Sequence, residues 1–221
     1  MAKETFAEVV QTGFKGYAGA SEEADAGSDE MASVIFHANR AITEWERCVR
    51  EGIQWPELRD EASVTCGGTG SDDHDLDFLD FFREPDGNAG VTIDGVLHMV
   101  VSASTGKRME RIGTSSGHYA WIEGPKLRTY PAALGTSTFS YLRKATRIVT
   151  GDEDTEPEMS DPSMISEYVT GMLFASDGDD TSVQSGSIHI SSANEALRMM
   201  KIPYYPATMA EDTESGWGMG M

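Results

Sequence analysis

The chain has 221 residues, 39% hydrophobic and 24% charged, which suits one domain, or one domain with a sizeable insertion, around an ordinary core. Its charge is lopsided: 37 acids against 17 bases give a net −20, a surface that repels phosphate and anionic lipid and so excludes bulk binding to nucleic acid or membrane. Two cysteines, Cys48 and Cys66, fall far short of the framework of a stapled secreted mini-domain and read as buried free thiols in a reducing compartment.

The opening residues, MAKETFAEVV, carry acids and lack the apolar stretch of a signal sequence, and no apolar run is long enough to span a bilayer, so neither is expected. Residues 4–18 predict a short amphipathic helix, with Phe6, Val9, Val10 and Phe14 at helical spacing and Gly13 and Gly16 weakening its end. A small, polar loop follows at 19–28. The clearest helix begins at Ser28 or Asp29, either of which can cap it, with Glu30 placed for the N-terminal dipole. Met31, Ile35, Ala38, Ile42, Trp45 and Val49 form one apolar seam along it, and Gly52 and Pro56 mark its end. Such a seam needs a second helix; the N-terminal helix and a C-terminal one are the candidates.

After QWPELR the period changes. EASVTC alternates like a strand, GGTGSDDHD reads as a loop, and DLDFLDFFRE precedes the turn cluster PDGNAG. VTIDGVLHMVVSAS holds one or two strands, and TGKRMERIG is polar and basic. His118–Ile122 and Leu127–Tyr130 read as a hairpin about Glu123-Gly124-Pro125, and Thr136–Arg143 alternates again. Together these predict about six short antiparallel strands inserted between helical parts. TGDEDTEPEMSDP, at 150–162, holds six acids and two prolines and reads as a solvated loop. Ser163–Ala175 returns to helical spacing through Ile165, Tyr168, Val169, Met172 and Leu173. Residues 176–187 read as a second loop, SANEALRMMKIP as a last short helix capped by Ser191 or Ser192, and the Gly- and acid-rich tail as unable to pack unaided. The expected fold class is therefore α+β: an antiparallel helical bundle with an inserted antiparallel β-meander or small barrel-like domain and an extended C-terminal tail. The expected divisions are 1–58, 59–150, 151–203 and 204–221.

Motifs for catalysis are weak. Asp73, Asp75, Asp77 and Glu84 match the spacing of a calcium loop, but Phe78 stands where that loop needs glycine, and burial of the neighbouring phenylalanines in a strand or tight turn explains the run better. Whether the DHDLD stretch takes a cation stays open at this stage, and Asp177, Asp179 and Asp180 are a weaker case. His37, His74, His98, His118 and His189 are scattered without metal-ligand spacing, and no nucleophile elbow, phosphate loop or dinucleotide fingerprint appears. No enzyme activity, metal or cofactor is expected. Trp45, Trp55 and Trp121 read as core, whereas Trp217 in SGWGMGM has no local structure to bury it and suits a docking peptide.

The charge is also uneven along the chain. Residues 99–149 hold eight bases, Lys107, Arg108, Arg111, Lys126, Arg128, Arg143, Lys144 and Arg147, against two acids, Glu110 and Glu123. In a homo-oligomer such a basic face meets the acidic loops of a neighbour head to tail. The alternative is an ordinary mixed sheet surface whose Lys and Arg protect its edges.

The long helix closing on ANRAITEWERCVREGIQWPELRDEASVT, the meander GHYAWIEGPKLRTYPAALGTSTFSYLRK with its aromatic-x-x-G-x-x-L-x-x-x-P spacing, the acidic loop and the helix PSMISEYVTGMLFAS form one layout over residues 29–200. That layout resembles the head-to-tail adaptor (connector, or tail-tubular gatekeeper) proteins of tailed bacteriophages. The resemblance implies a non-enzymatic virion protein, made in the host cytoplasm and located in the neck. Identical subunits would form a ring, usually dodecameric, beneath the portal protein. The ring would extend the channel through which double-stranded DNA passes and carry the next neck or tail (nozzle) protein, with no membrane involved. It also implies docking on the portal through a terminal segment, for which Tyr204, Tyr205, Trp217, Met219 and Met221 are the candidates. The acidic loops and the Gly/Met tail depart from the pattern. The alternatives are another virion part, such as a tail terminator, stopper or capsid decoration, a ligand- or glycan-binding β module using the aromatic meander, and, last, a hydrolase.

Overall fold

The structure, a computed structural model, describes residues 4–83, 89–113, 117–151 and 154–204. It is an α+β fold in which the chain divides into two compact units: a helical unit from the residues up to Ile53 and from Ala145 onward, and a β unit, Gln54–Lys144. Among the described residues no helix is long and apolar enough to cross a membrane.

The helical unit contains α1 (Phe6–Ala18), α2 (Asp29–Arg47), α4 (Ser163–Asp177) and α5 (Asp180–Lys201). A capping box starts α1: Thr5 Oγ1 accepts from the Glu8 amide, and Glu8 Oε2 accepts from the Thr5 amide at 2.8 Å. The predicted seam is buried from Met31 to Val49, but α2 ends at Arg47 and Val49 belongs to a 3-10 turn, Cys48–Glu51; α2 packs against α4 and α1. Gly13 and Gly16 do not weaken α1; they let it approach α4. A Cβ at Gly13 would lie 2.9 Å from the Ser166 carbonyl, and one at Gly16 would lie 2.7 Å from Thr170 Oγ1. Thr170 completes the contact by donating its hydroxyl to the Gly13 carbonyl at 2.8 Å.

Two loop expectations here are corrected. Residues 180–187 are not a loop but the first turns of α5, a 22-residue helix capped by Asp179, whose Oδ1 accepts from the Thr181 and Ser182 amides at 3.0 Å each. Ser191 and Ser192 lie inside it. The serine- and glycine-rich start has low helix propensity, and packing overrides it. Gly171 of α4 and Gly186 of α5 face each other so closely that a Cβ on either would lie within 2.9 Å of the other's carbonyl. Gly186, Ala193, Leu197 and Met200 then carry the buried stripe. The acidic segment before α4 is not simply solvated either. Met159 is buried, Thr155 accepts from the Phe6 amide at 2.8 Å, and Glu158 takes both the amide and the hydroxyl of Thr146.

The β unit holds eight strands: β1 (Arg59–Gly67), β2 (Ser71–Asp73), β3 (Phe78–Phe81), β4 (Gly90–Ile93), β5 (Val96–Val100), β6 (Tyr119–Glu123), β7 (Lys126–Tyr130) and β8 (Leu134–Arg143). They pair in the order β1-β8-β4-β5-β6-β7-β2, and β3 joins β8 beyond β4. The Gly67 amide donates to Asp72 Oδ1 at 2.7 Å, drawing the two ends of the sheet together into a nearly closed, barrel-like form. The hairpin about Glu123-Gly124-Pro125 is present as β6–β7. The sheet is not wholly antiparallel, because β5 and β6 run parallel. Parallel neighbours need a crossover, and α3 (Ala103–Ile112) supplies it, in the stretch that reads as merely polar and basic. Gly106 of α3 rests on the Trp121 indole, where a Cβ would come within 2.3 Å. The barrel interior is Ala62, Val64, Cys66, Phe81, Val91, Ile93, Ala120, Leu127, Phe139 and Tyr141.

Candidate interaction surface

Strand alternation turns one residue inward and the next outward, and the registers show which outward residues are neighbours. Ala62 pairs with Phe139 and Val64 with Ser137, all buried, so Ser63–Thr138 and Thr65–Thr136 form the outer row. Thr92 of β4 lies beside Thr138, and Leu97 and Met99 of β5 lie beside Thr92 and Gly90. The outer face of β1, β8, β4 and β5 thus presents Ser63, Thr65, Thr92, Leu97, Met99, Leu134, Thr136, Thr138 and Ser140, with the charged residues Arg59, Glu61 and Asp94 at its margins. Leu97, Met99 and Leu134 are 67%, 63% and 73% exposed, so large apolar side chains stand in water beside short hydroxyls. An open depression of about 530 Å³ crosses this face between Glu61, Gly90 and Ser140. A four-strand face whose centre carries hydroxyls and apolar side chains and whose carboxylates, Glu61 and Asp94, stand at its margins, on a chain of net −20, is the feature best suited to close contact with another acidic surface.

The eight predicted bases are distributed over several elements. Lys107, Arg108 and Arg111 are exposed on α3; Lys126 and Arg128 are on β7; Arg143 ends β8 and Lys144 follows it. Lys107 and Arg128 converge on Glu123, at 2.6 and 3.5 Å, and Lys126 pairs with Asp73 at 3.0 Å, so much of the local positive excess is neutralised within the unit. The Lys107 ammonium, first, holds the Glu123 carboxyl below its usual range. Arg147 lies in the helical unit, paired with Glu46 of α2.

Tyr204 ends a 3-10 turn, Ile202–Tyr204, after α5, near the point where Lys201 pairs with Glu51 at 2.7 Å. Tyr205, Trp217, Met219 and Met221 lie outside the described residues, as does Glu84 of the calcium-like run. Within that run Asp73 is taken by Lys126, and Phe78 and Phe81 lie in β3 and pack edge to face, which the register shift between Phe78 and Asp80 allows, since regular alternation would turn them to opposite faces. Asp177 accepts from the Tyr17 hydroxyl and Asp179 caps α5, so both have structural work. Among the described residues no group of three or more His, Cys, Asp or Glu is placed to hold a metal ion. Trp45, Trp55 and Trp121 are each 1% exposed. The free thiols of Cys48 and Cys66 are buried, and burial pushes both above the ordinary thiol range.

Neither the hydroxyl and apolar outer face nor the pairing of His98 with His118 is evident from local pattern along the chain. SVT, TST and LHM alternate, but the neighbourhood of these short runs depends on strand order. No protein-family model matches the chain, and no curated protein is significantly similar to it.

Proposed function

We propose that this protein is a non-enzymatic head-to-tail adaptor of a tailed virus: a ring of identical subunits seated beneath the portal, prolonging the DNA channel and presenting a platform to the next neck protein. The observation that carries this reading is the outer face on β1, β8, β4 and β5, whose centre is free of charge. Copies bearing −20 each repel one another, and a face with hydroxyls and apolar side chains in place of carboxylates is where two of them can meet without burying like charge. The acidity of the remaining surface suits a conduit, because a wall of the same sign as DNA does not hold its phosphates. The segment from Tyr204 to Met221, with Trp217, Met219 and Met221, is the docking element for the portal.

The test is assembly. Alone at low salt the chain sediments as a monomer, and with portal rings it assembles onto them. Leu97→Asp with Met99→Asp, both at exposed positions, abolishes lateral assembly while leaving the monomer folded, and removal of residues 207–221 abolishes portal capture. A stable ring at low salt without portal contradicts templated assembly. Virions whose neck lacks this polypeptide contradict the function itself.

A further inference from the structure

His98 and His118 are twenty residues apart in sequence, yet the parallel pairing of β5 and β6 sets them side by side. Met99 lies opposite Tyr119, and the Met99 amide donates to the His118 carbonyl at 2.8 Å, which locks the register at the two histidines. Their rings are 5.0 Å apart between centroids and inclined at 72°. An imidazole bound to zinc has its nitrogen about 2.0–2.1 Å from the ion, which puts the ring centre about 3.2 Å away. Two such rings on one ion are then about 5.2 Å apart at the tetrahedral angle and about 4.5 Å apart at a right angle. The observed separation falls between these limits.

The proton arrangement of His98 is also that of a ligand. Its Nδ1 lies 3.0 Å from the Val96 carbonyl, to which it donates, so the lone pair is on Nε2. A backbone carbonyl holding the far nitrogen is the usual way a metal-binding imidazole is oriented. Nε2 is buried without a hydrogen-bond partner, and His98 as a whole is 2% exposed. Both histidines line an open depression of about 170 Å³ shared with Asp94, Pro131 and Leu134, from which His98 Nε2 is shielded as the rings stand. His118 is exposed, so its ring can turn aside to admit an ion, and the net charge of −20 draws cations to the surface.

We propose that His98 Nε2 and the His118 imidazole form an open, two-histidine site for a borderline transition-metal ion of the Zn²⁺ class. The remaining coordination positions are filled by water or by a donor from outside the chain, with the Asp94 carboxylate on the wall of the depression as a source of negative charge. The inference stands independently of the adaptor reading.

The untagged full chain, stripped with a chelator, is titrated with ZnCl₂ at pH 7.5 in the presence of excess Mg²⁺, which occupies nonspecific carboxylate sites. One Zn²⁺ binds per chain with a dissociation constant on the order of micromolar, and His118→Ala weakens it at least about tenfold with an unchanged circular dichroism spectrum. Imidazole nitrogen spectra of the wild type show the His98 Nε2 resonance shifting on Zn²⁺ addition while Nδ1 stays protonated. No binding at millimolar Zn²⁺, or undiminished binding by His118→Ala, overturns the proposal.

Discussion

Replacing Glu46 by alanine tests how the chain is fastened where it re-enters the helical unit after the β unit. Glu46 projects from α2 and is 8% exposed. Its Oε1 accepts from the buried Ala145 amide at 2.7 Å, and its Oε2 meets the Arg147 guanidinium. Three residues after Ala145, Ile148 has both its amide and its carbonyl held by Asn39 of α2, at 2.9 Å each, so residues 145–148 lie clamped along α2. Truncation at Glu46 leaves the Ala145 N–H buried and unpaired, which costs about 1–3 kcal/mol. It also removes the partner of Arg147, whose side chain is 35% exposed, so solvent screening holds that loss to about 0.5–1 kcal/mol. The sum is about 2–4 kcal/mol, and with a urea slope of about 3 kcal/mol/M for a chain of this size the midpoint falls by about 1 M. Glu46→Gln keeps a carbonyl for Ala145 and gives up only the charge, so it loses about 1 kcal/mol. Urea unfolding followed at 222 nm, where helix dominates, reads both variants. If Glu46→Ala unfolds within about 0.3 M of the wild type, or if Gln and Ala are equivalent, the clamp is not what secures this segment.

Gly106→Ala separates two opposed effects: alanine favours a helix by about 1 kcal/mol, but its Cβ would press into the Trp121 ring, so the variant is destabilised by about 1–2 kcal/mol net and its near-ultraviolet tryptophan signal changes. A raised melting temperature would refute that packing. His98 is held below the free imidazole value of 6.5, mainly by burial. A base whose folded pKa is depressed is protonated more readily in the unfolded chain, so it contributes a loss of stability as pH falls through 6.5 toward its folded pKa and none above. An NMR titration should place its midpoint below 6.5, and one at or above that value contradicts the burial seen here. Salt screens the excess of acids over a Debye length of about 10 Å at 0.1 M and about 3 Å at 1 M, so the melting temperature should rise with NaCl over that range; a fall would mean that specific ion pairs outweigh the general repulsion.

Much of the fold is legible in the chain because local pattern and tertiary packing agree there. The α2 seam, the β6–β7 hairpin and the strand period of β1 and β8 each survive into the structure with the expected residues buried. The failures have one cause, which is packing that depends on a distant partner. In α5, glycine and serine at 182–187 look like loop residues, and only the closeness of Gly171 explains why small residues are required there. In α3 the fully buried position is a glycine, Gly106, and the apolar side chains at helical spacing beside it, Ala103 and Met109, are few among charged ones, so composition hides the helix, and without the helix the β5–β6 pair cannot be read as parallel. The site suffers most, because both the hydroxyl and apolar face and the histidine pair are products of strand order. Single-residue features fare better: Trp45, Trp55 and Trp121 are core as their size demands.

The distribution of charge over the β unit bears on how copies would meet. Lys107, Arg128 and Lys126 are turned to Glu123 and Asp73, so the bases of α3 and β7 spend part of their charge within their own unit and are less free to serve a neighbour's acidic loops. Arg108 and Arg111 remain exposed on α3. The face on β1, β8, β4 and β5 instead offers apolar contact at Leu97, Met99 and Leu134, with hydroxyls between that can bond either to water or to a partner. Attraction there is short-ranged and indifferent to salt, while repulsion between −20 chains is long-ranged and weakened by it. On the proposed adaptor reading, such a surface would associate only when something else brings copies within reach, as a templating ring would, and the same balance makes the aspartate pair at 97 and 99 a stringent probe, since it places like charge at the centre of that face.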